Sequence, residues 1–406
     1  MKQKTLLQIN VTANWGSTGK IAEEIGKAAM RHGWKSYIAY GRYSNPSANK
    51  LIRIGNKFDT FFHFGEQRIF DNEGLCSRRS TRQFIEKIEE IKPDVIQLHN
   101  IHDHYINYRL LFKYLKASGI PVVWTFHDCW AFTGHCFHFV TKDCFRWKTG
   151  CHDCPLRDKS PHTLLDRSKV HWLLKKQLFQ DCKNMSVVAC SQWMANFVEE
   201  SFLQDKRIEV FRNGIDLNVF RPLNSLSRNK LFRVLAVSNV WNNDKGFNDI
   251  LQLRKLLSDS YELIMVGLTE KQVRKLPEGI TGIERTQNVE ELVTLYSSAN
   301  VFINPTYADT FPTVNLEALA CGTPIVTYRT GGSPEAVDEK TGVVIEQGDV
   351  SALAHAIENI CKRGKVFYED VCRERALNNF NKDDRFMDYV HLYEDLLKEN
   401  RWLNRI

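Results

Sequence analysis

DTFPTVNLEALACGTPIV, residues 309–326, opens with an acid, continues as a short apolar helix pattern and ends in a strand-like run. Glu317 lies within that helix, crowded by Val314, Leu316, Ala318, Leu319 and Ala320, so little polar face is left for a solvated carboxylate. A charge among apolar neighbours is costly unless it has a partner. Cys321-Gly322-Thr323-Pro324 stops the helix, and PIVTY (324–328) follows at once as a strand. The stretch therefore reads as half of a strand–helix–strand unit.

The same order recurs in both directions. TLLQINV (5–11) leads through a glycine-bearing turn to the helix IAEEIGKAAMRHG (21–33), and SYIAYG (36–41) follows. VIQLHN (95–100) precedes a helix near 108–118 and then PVVWTFHD (121–128); SVVACS (186–191) precedes a helix at 192–202. The pattern restarts after residue 208 with RVLAVSN (233–239), a helix at 246–258, ELIMVG (262–267), NVFINPT (300–306) and the 313–321 helix. Strands alternating with helices argue for the α/β class, with parallel sheets covered by helices on both faces. Segment 209–231, with Asn213-Gly214 and Pro222, reads as a linker. The expectation is two doubly wound, Rossmann-like domains, 1–208 and 209–384, facing each other across a cleft. A last helical segment, 385–406, is expected to return to the first domain. Ligands of such sheets bind beyond the carboxyl ends of the strands. Gly16, His99, His127, Asn239, Lys245 and Asp309 all stand there.

The 406 residues, 43% hydrophobic and 25% charged, suit a soluble globular chain with room for two cores. No apolar run approaches the ~18 residues of a membrane span. The apolar part of MKQKTLLQINV is short for a signal peptide and reads as a first strand, which predicts a cytoplasmic protein. Residues 1–200 hold 29 basic and 19 acidic side chains, a net of +10, whereas the remainder holds 26 and 29, a net of −3. A basic first half suits an anionic partner: phosphate groups, an acidic lipid surface or nucleic acid.

Asp309 and Glu317 flank one helix start. Carboxylates accept from vicinal hydroxyls such as those of a ribose, and a helix N-terminus favours phosphate. The next strand ends in Thr330-Gly331-Gly332-Ser333-Pro334-Glu335, where glycines let backbone N–H groups come close to a ligand. NWGSTGK lacks the spacing of a P-loop and of G-x-G-x-x-G, so a nucleotide hydrolase or dehydrogenase is disfavoured.

In this order the block resembles the donor-site signature of the retaining glycosyltransferases of family 4, which have the GT-B fold. That signature is an acid, seven residues, a glutamate, a helix ending in Gly-x-Pro, a strand and a Gly-Gly turn. Asn213-Gly214-Ile215-Asp216 with Phe220 and Pro222, Ser191, Lys245-Gly246 and the closing FMDYVHLYEDLL are similar to further family features. The resemblance implies a nucleotide-sugar donor, UDP- or GDP-linked, and no catalytic metal. It implies that Glu317 holds the ribose, Asp309 the donor sugar and Lys245 the diphosphate. Gly16, Asn239, Thr310, Phe311 and Pro312 line the donor site, and His127 contacts a sugar hydroxyl. It also implies a lipid-linked saccharide acceptor, with the chain working peripherally at the inner face of the cell membrane. Two departures stand out: Asp309 replaces the usual Glu, and SNVWNNDKG offers Asn239 and Trp241 where the family has an arginine before the lysine.

Cys136, Cys144, Cys151 and Cys154 fall in a segment that reads as one exposed, aromatic-rich loop at 129–154 and ends in a Cys-x2-Cys pair. They read as a structural zinc site, as unligated thiols or as disulfides. HWLLKKQLF (171–179) reads either as a helix against anionic lipid or as one packed on its own domain. A zinc-loop nucleic-acid binder is the alternative function, but no recognition helix with histidine ligands follows the cysteines at finger spacing.

Overall fold

The apolar runs pair as two separate sheets in the computed structural model of the chain, which describes residues 3–159, 161–223 and 230–403. The first sheet contains β1 (Thr5–Asn10), β2 (Lys35–Tyr40), β3 (Lys50–Arg53), β4 (Val95–Leu98), β5 (Val122–Phe126), β6 (Met185–Ala189) and β7 (Ile208–Val210). Its order is β3-β2-β1-β4-β5-β6-β7. The second contains β8 (Phe232–Val237), β9 (Tyr261–Val266), β10 (Ile280–Ile283), β11 (Val301–Asn304), β12 (Ile325–Tyr328) and β13 (Gly342–Ile345), in the order β10-β9-β8-β11-β12-β13. Every strand pair in both is parallel. The order reverses beside the first strand of each sheet, between β1 and β4 and between β8 and β11. That is where doubly wound sheets bind ligands.

The chain divides into two compact units, Met1–Phe211 with Arg385–Ile406, and Arg212–Asp384. In the first unit, β1, β4, β5 and β6 are buried throughout. This explains why they read as continuous apolar runs rather than alternating ones. Leu7, Ile9, Ile96, Leu98, Trp124 and Phe126 feed one core. Leu6, Val95, Val123 and Val188 feed another, completed by Ile25, Phe386, Tyr389 and Tyr393. These three aromatics come from the helix Lys382–Leu403. Its Tyr393 hydroxyl donates to Gln97 Oε1 at 2.9 Å in mid-sheet.

Of the two readings left open for residues 171–179 the packed one holds, and one expectation is corrected. The helix Ser168–Asp181 does not present its lysine pair to lipid. Lys175 is 1% exposed, donates to the carbonyls of Trp130 and Thr133 at 2.8 and 3.1 Å, and lies 3.5 Å from the centre of the Trp130 ring. With His171, Trp172 and Phe179 also buried, this helix packs on its own unit. Nor is the cysteine segment an exposed loop: Cys136 is buried, and Cys144, Cys151 and Cys154 are half-buried against a core that includes Phe132, Phe139 and Trp147.

Candidate functional site

In the second unit the geometry starts from glycine. Asn242 caps the short turn Asn243–Lys245, its side chain accepting from the Lys245 N–H at 3.1 Å. Gly246 follows at φ +72°, where a Cβ would lie 2.2 Å from the Pro305 carbonyl oxygen. Only glycine lets the loop after β8 lie this close to the loop after β11. The Lys245 ammonium is thereby brought to Asp309, donating to Oδ2 at 2.7 Å and to the Ala308 carbonyl at 3.0 Å. On the far side, Gly331 at φ +55° lies against Asp309, where a Cβ would fall 1.6 Å from its carbonyl oxygen. Asp309 is thus clasped from both sides at the switch point of the second sheet.

The helix Thr313–Ala320 begins directly after Pro312, with no side-chain cap and no acid in its first turn. The Thr310, Phe311 and Pro312 side chains are buried, and Asn213 Nδ2 donates to the Phe311 carbonyl at 3.3 Å. Glu317 has the partner that its apolar surroundings require: the Tyr296 hydroxyl donates to its Oε2 at 2.8 Å. Burial, with Glu317 alongside, pushes the Tyr296 phenol well above its ordinary pKa, so it remains a donor. Asn239 is exposed just beyond β8. Trp241 is not a surrogate cation or ligand, since it is buried with its Nε1 donating to the Val266 carbonyl at 2.8 Å. Arg212 is committed to Glu335, at 3.1 and 2.9 Å.

In the first unit, Gly16 opens the helix Gly16–Arg31 at φ +66°, and a Cβ there would meet nothing within 4 Å. His127, half-buried, follows β5 directly. Its surroundings were not legible in the sequence. Gln8 Nε2 donates to the Ala22 carbonyl at 2.8 Å, which turns Gln8 Oε1 toward His99 Nε2 at 3.1 Å. His99 must then donate from Nε2 and accept at Nδ1, where His127 Nε2 lies at 3.0 Å. His127 therefore carries its proton on Nε2, with Nδ1 as its acceptor nitrogen. Burial holds His99 well below the ordinary histidine pKa and lowers His127 to about 4, so both are neutral near pH 7. Nearby, His102 Nε2 meets Asp128 Oδ2 at 2.9 Å. Burial opposes the charge on His102, but the Asp128 carboxylate outweighs it and the pKa is raised. Sequence reading singled out His127 among neighbouring histidines, but not the chain from Gln8 that fixes its tautomer.

Two all-parallel, doubly wound sheets of this order have the architecture of the GT-B class. The fold matches a sucrose-phosphate synthase from Thermosynechococcus elongatus at 17% identity and TM-score 0.70, over 98% of this chain and all of that one. It also matches Anabaena HepE, solved with UDP, at 14% identity and TM-score 0.65, over 97% of this chain and all of that one. By sequence, residues 18–219 match the model of Glycosyltransferase Family 4, and residues 232–363 match that of the Glycosyl transferases group 1. The chain belongs to this glycosyltransferase family. It is 21% identical to the Escherichia coli (strain K12) chain WcaC, named as a colanic acid biosynthesis glycosyl transferase, across 96% of this chain and all of that one. It is 26% identical to CapM of Staphylococcus aureus, named as a capsular polysaccharide biosynthesis glycosyltransferase, across 46% of this chain and 54% of that one.

Proposed function

We propose that this glycosyltransferase acts in polysaccharide biosynthesis, moving a sugar from a UDP- or GDP-sugar to a hydroxyl of a lipid-linked saccharide, with retention of anomeric configuration. The observation that carries the reading is the Lys245–Asp309 pair, 2.7 Å apart and clasped by Gly246 and Gly331. Breaking a sugar–diphosphate bond builds negative charge on the leaving phosphate, and a fixed cation stabilises it. Lys245 supplies that cation once the diphosphate displaces Asp309 from it, and Asp309 then turns to the donor sugar. No metal is assigned to this step. Glu317, held by Tyr296, takes the ribose hydroxyls; Asn239, Thr310, Phe311 and Pro312 line the donor site, and Gly16 leaves room for the substrate. His127 accepts from a sugar hydroxyl at Nδ1. The structures of HepE with UDP and with UDP-glucose support a nucleotide-sugar donor. The full-length likeness to WcaC and the partial one to CapM support a polysaccharide product and favour this reading over nucleic-acid binding. Calorimetric titration with UDP, GDP, ADP and their sugars tests it: one nucleotide binding at micromolar level supports it, and none binding contradicts it.

No described helix is long and apolar enough to cross a membrane. The surface suited to a peripheral contact lies on the helix Lys57–Phe70, which the strand-and-helix reading passed over. Phe58, Phe61 and Phe62 are 83%, 77% and 66% exposed, and Leu164 and Leu165 join them, with the Leu164 N–H bonded to the Arg68 carbonyl. Lys57, Arg78 and Arg79 are exposed around it, Ser80 being tied to Asp59 of this helix. Aromatic side chains among cations suit an anionic bilayer surface. The Phe58→Ser/Phe61→Ser/Phe62→Ser variant is expected to lose at least tenfold in affinity for vesicles containing phosphatidylglycerol in a flotation assay. Unchanged flotation would remove this helix from the contact.

A further inference from the structure

Cys136, Cys144, Cys151 and Cys154 are spread over a segment with no strand and only two short 3₁₀ turns, Val140–Lys142 and Arg146–Lys148, yet all four line one small cavity with Trp147 and His135. The cavity has about 10 Å³ of room, roughly one water-sized sphere. All four cysteines are free thiols. We propose that these four cysteines bind one Zn²⁺ ion that pins residues 129–159 onto the first unit, independently of glycosyl transfer.

Three features argue for an ion rather than for thiols as core filler. Backbone donors point at the sulfurs: the Gly134 N–H reaches Cys151 Sγ at 3.1 Å, and the Leu156 backbone, two residues after the Cys-x2-Cys pair, bonds to Cys154. Such N–H groups stabilise a thiolate far more than a neutral thiol. Second, Gly134 has no alternative, because a Cβ there would lie 2.3 Å from the Ser168 carbonyl oxygen and 2.7 Å from the Cys151 Cβ. Third, the fully buried Lys175 lies within electrostatic reach of Cys136 and Cys151, with Glu73 and Asp128 as its acidic neighbours. A tetrathiolate zinc centre carries a net charge of −2 and supplies the counter-charge that a buried lysine needs.

Among the described residues, no group of three or more His, Cys, Asp or Glu is already arranged to hold an ion. Binding therefore includes an inward rotation of the thiols into the cavity they share. The step is Zn²⁺ plus four Cys–SH giving Zn(S–Cys)₄²⁻ and four H⁺ released to solvent; no electron moves. Tetrahedral sulfur ligation is what zinc prefers at a structural site.

The test is elemental analysis of full-length chain purified under reduction and without chelator. About one zinc per chain is expected, falling by at least fivefold in Cys154→Ser and in Cys144→Ser, and unchanged in Cys76→Ser, which lies outside the cavity. Should the serine variants precipitate, wild type carries the test: Co²⁺ exchanged into it gives the sulfur-to-cobalt charge-transfer bands of tetrahedral thiolate. Less than a tenth of an equivalent of zinc, with no uptake from added ZnCl₂, would overturn the proposal. Full zinc that persists in both serine variants would do so equally.

Discussion

Lys245→Ala is expected to lower kcat by about 10²–10³-fold, a loss of roughly 2.7–4 kcal/mol of transition-state stabilisation, which is the usual effect of removing one fixed group aimed at developing charge. The effect falls on kcat because the leaving diphosphate carries more charge in the transition state than in the bound donor. Stability is expected to change little. The Lys245–Asp309 pair is part-exposed, at 32% and 24% of the side chains, and such pairs contribute about 0–1 kcal/mol. Steady-state kinetics beside a thermal melt separates the two. A variant that melts like wild type and turns over at more than a tenth of its rate would show that the clasped pair is not the leaving-group site.

The second large effect is on stability at acid pH. Burial is the first cause that lowers His63 to about 3, and His127 and His171 to about 4, from an ordinary value of 6.5. The unfolded chain binds protons on these imidazoles below pH 6.5, while the folded chain does so only near pH 3–4. Their stabilising effect is therefore full above pH 6.5 and is lost as pH falls toward 4. Each pH unit below 6.5 costs about 1.4 kcal/mol per imidazole, so each removes about 2 kcal/mol by pH 5. Glu73 opposes them: burial raises it to about 7, so the folded chain gains a proton there as pH falls from 7. His102 and His135, raised by their carboxylate partners, oppose the loss as Glu73 does, while His99 and His104, lowered mainly by burial, add to it; stability is expected to fall between pH 7.5 and 5. Urea titration at the two pH values reads it directly. Equal midpoints would mean that these histidines are hydrated rather than buried.

How much of this was legible depended on burial. Strands buried on both faces, such as TLLQIN and VVWTF, announce themselves as apolar runs. The sheet-edge strands β3 and β10 hide because KLIR and ITGI are part-exposed and mixed in composition. The helix Lys57–Phe70 carried a usable signal, the Asn56/Asp59 capping box, but its exposed phenylalanines imitate a core face. At the candidate site, the acid and glycine spacings singled out Asp309 and Glu317 because local chain order fixes them. Tyr296 and Gln8 were invisible, and His99 was marked only by its place after a strand, because their roles depend on contacts across 21 to 91 residues of sequence. Lys175 left both readings of its helix open, since a lysine in an amphipathic pattern is ordinarily at the surface.

The grip of Glu317 on a ribose is tested most directly by a calorimetric titration of wild type and Glu317→Ala with the nucleotide that binds. The variant is expected to bind about 10- to 100-fold more weakly, matching the roughly 1.5–3 kcal/mol of hydrogen bonds to a charged group. Equal affinity in a variant that is folded by circular dichroism would contradict the donor-site reading of residues 309–335.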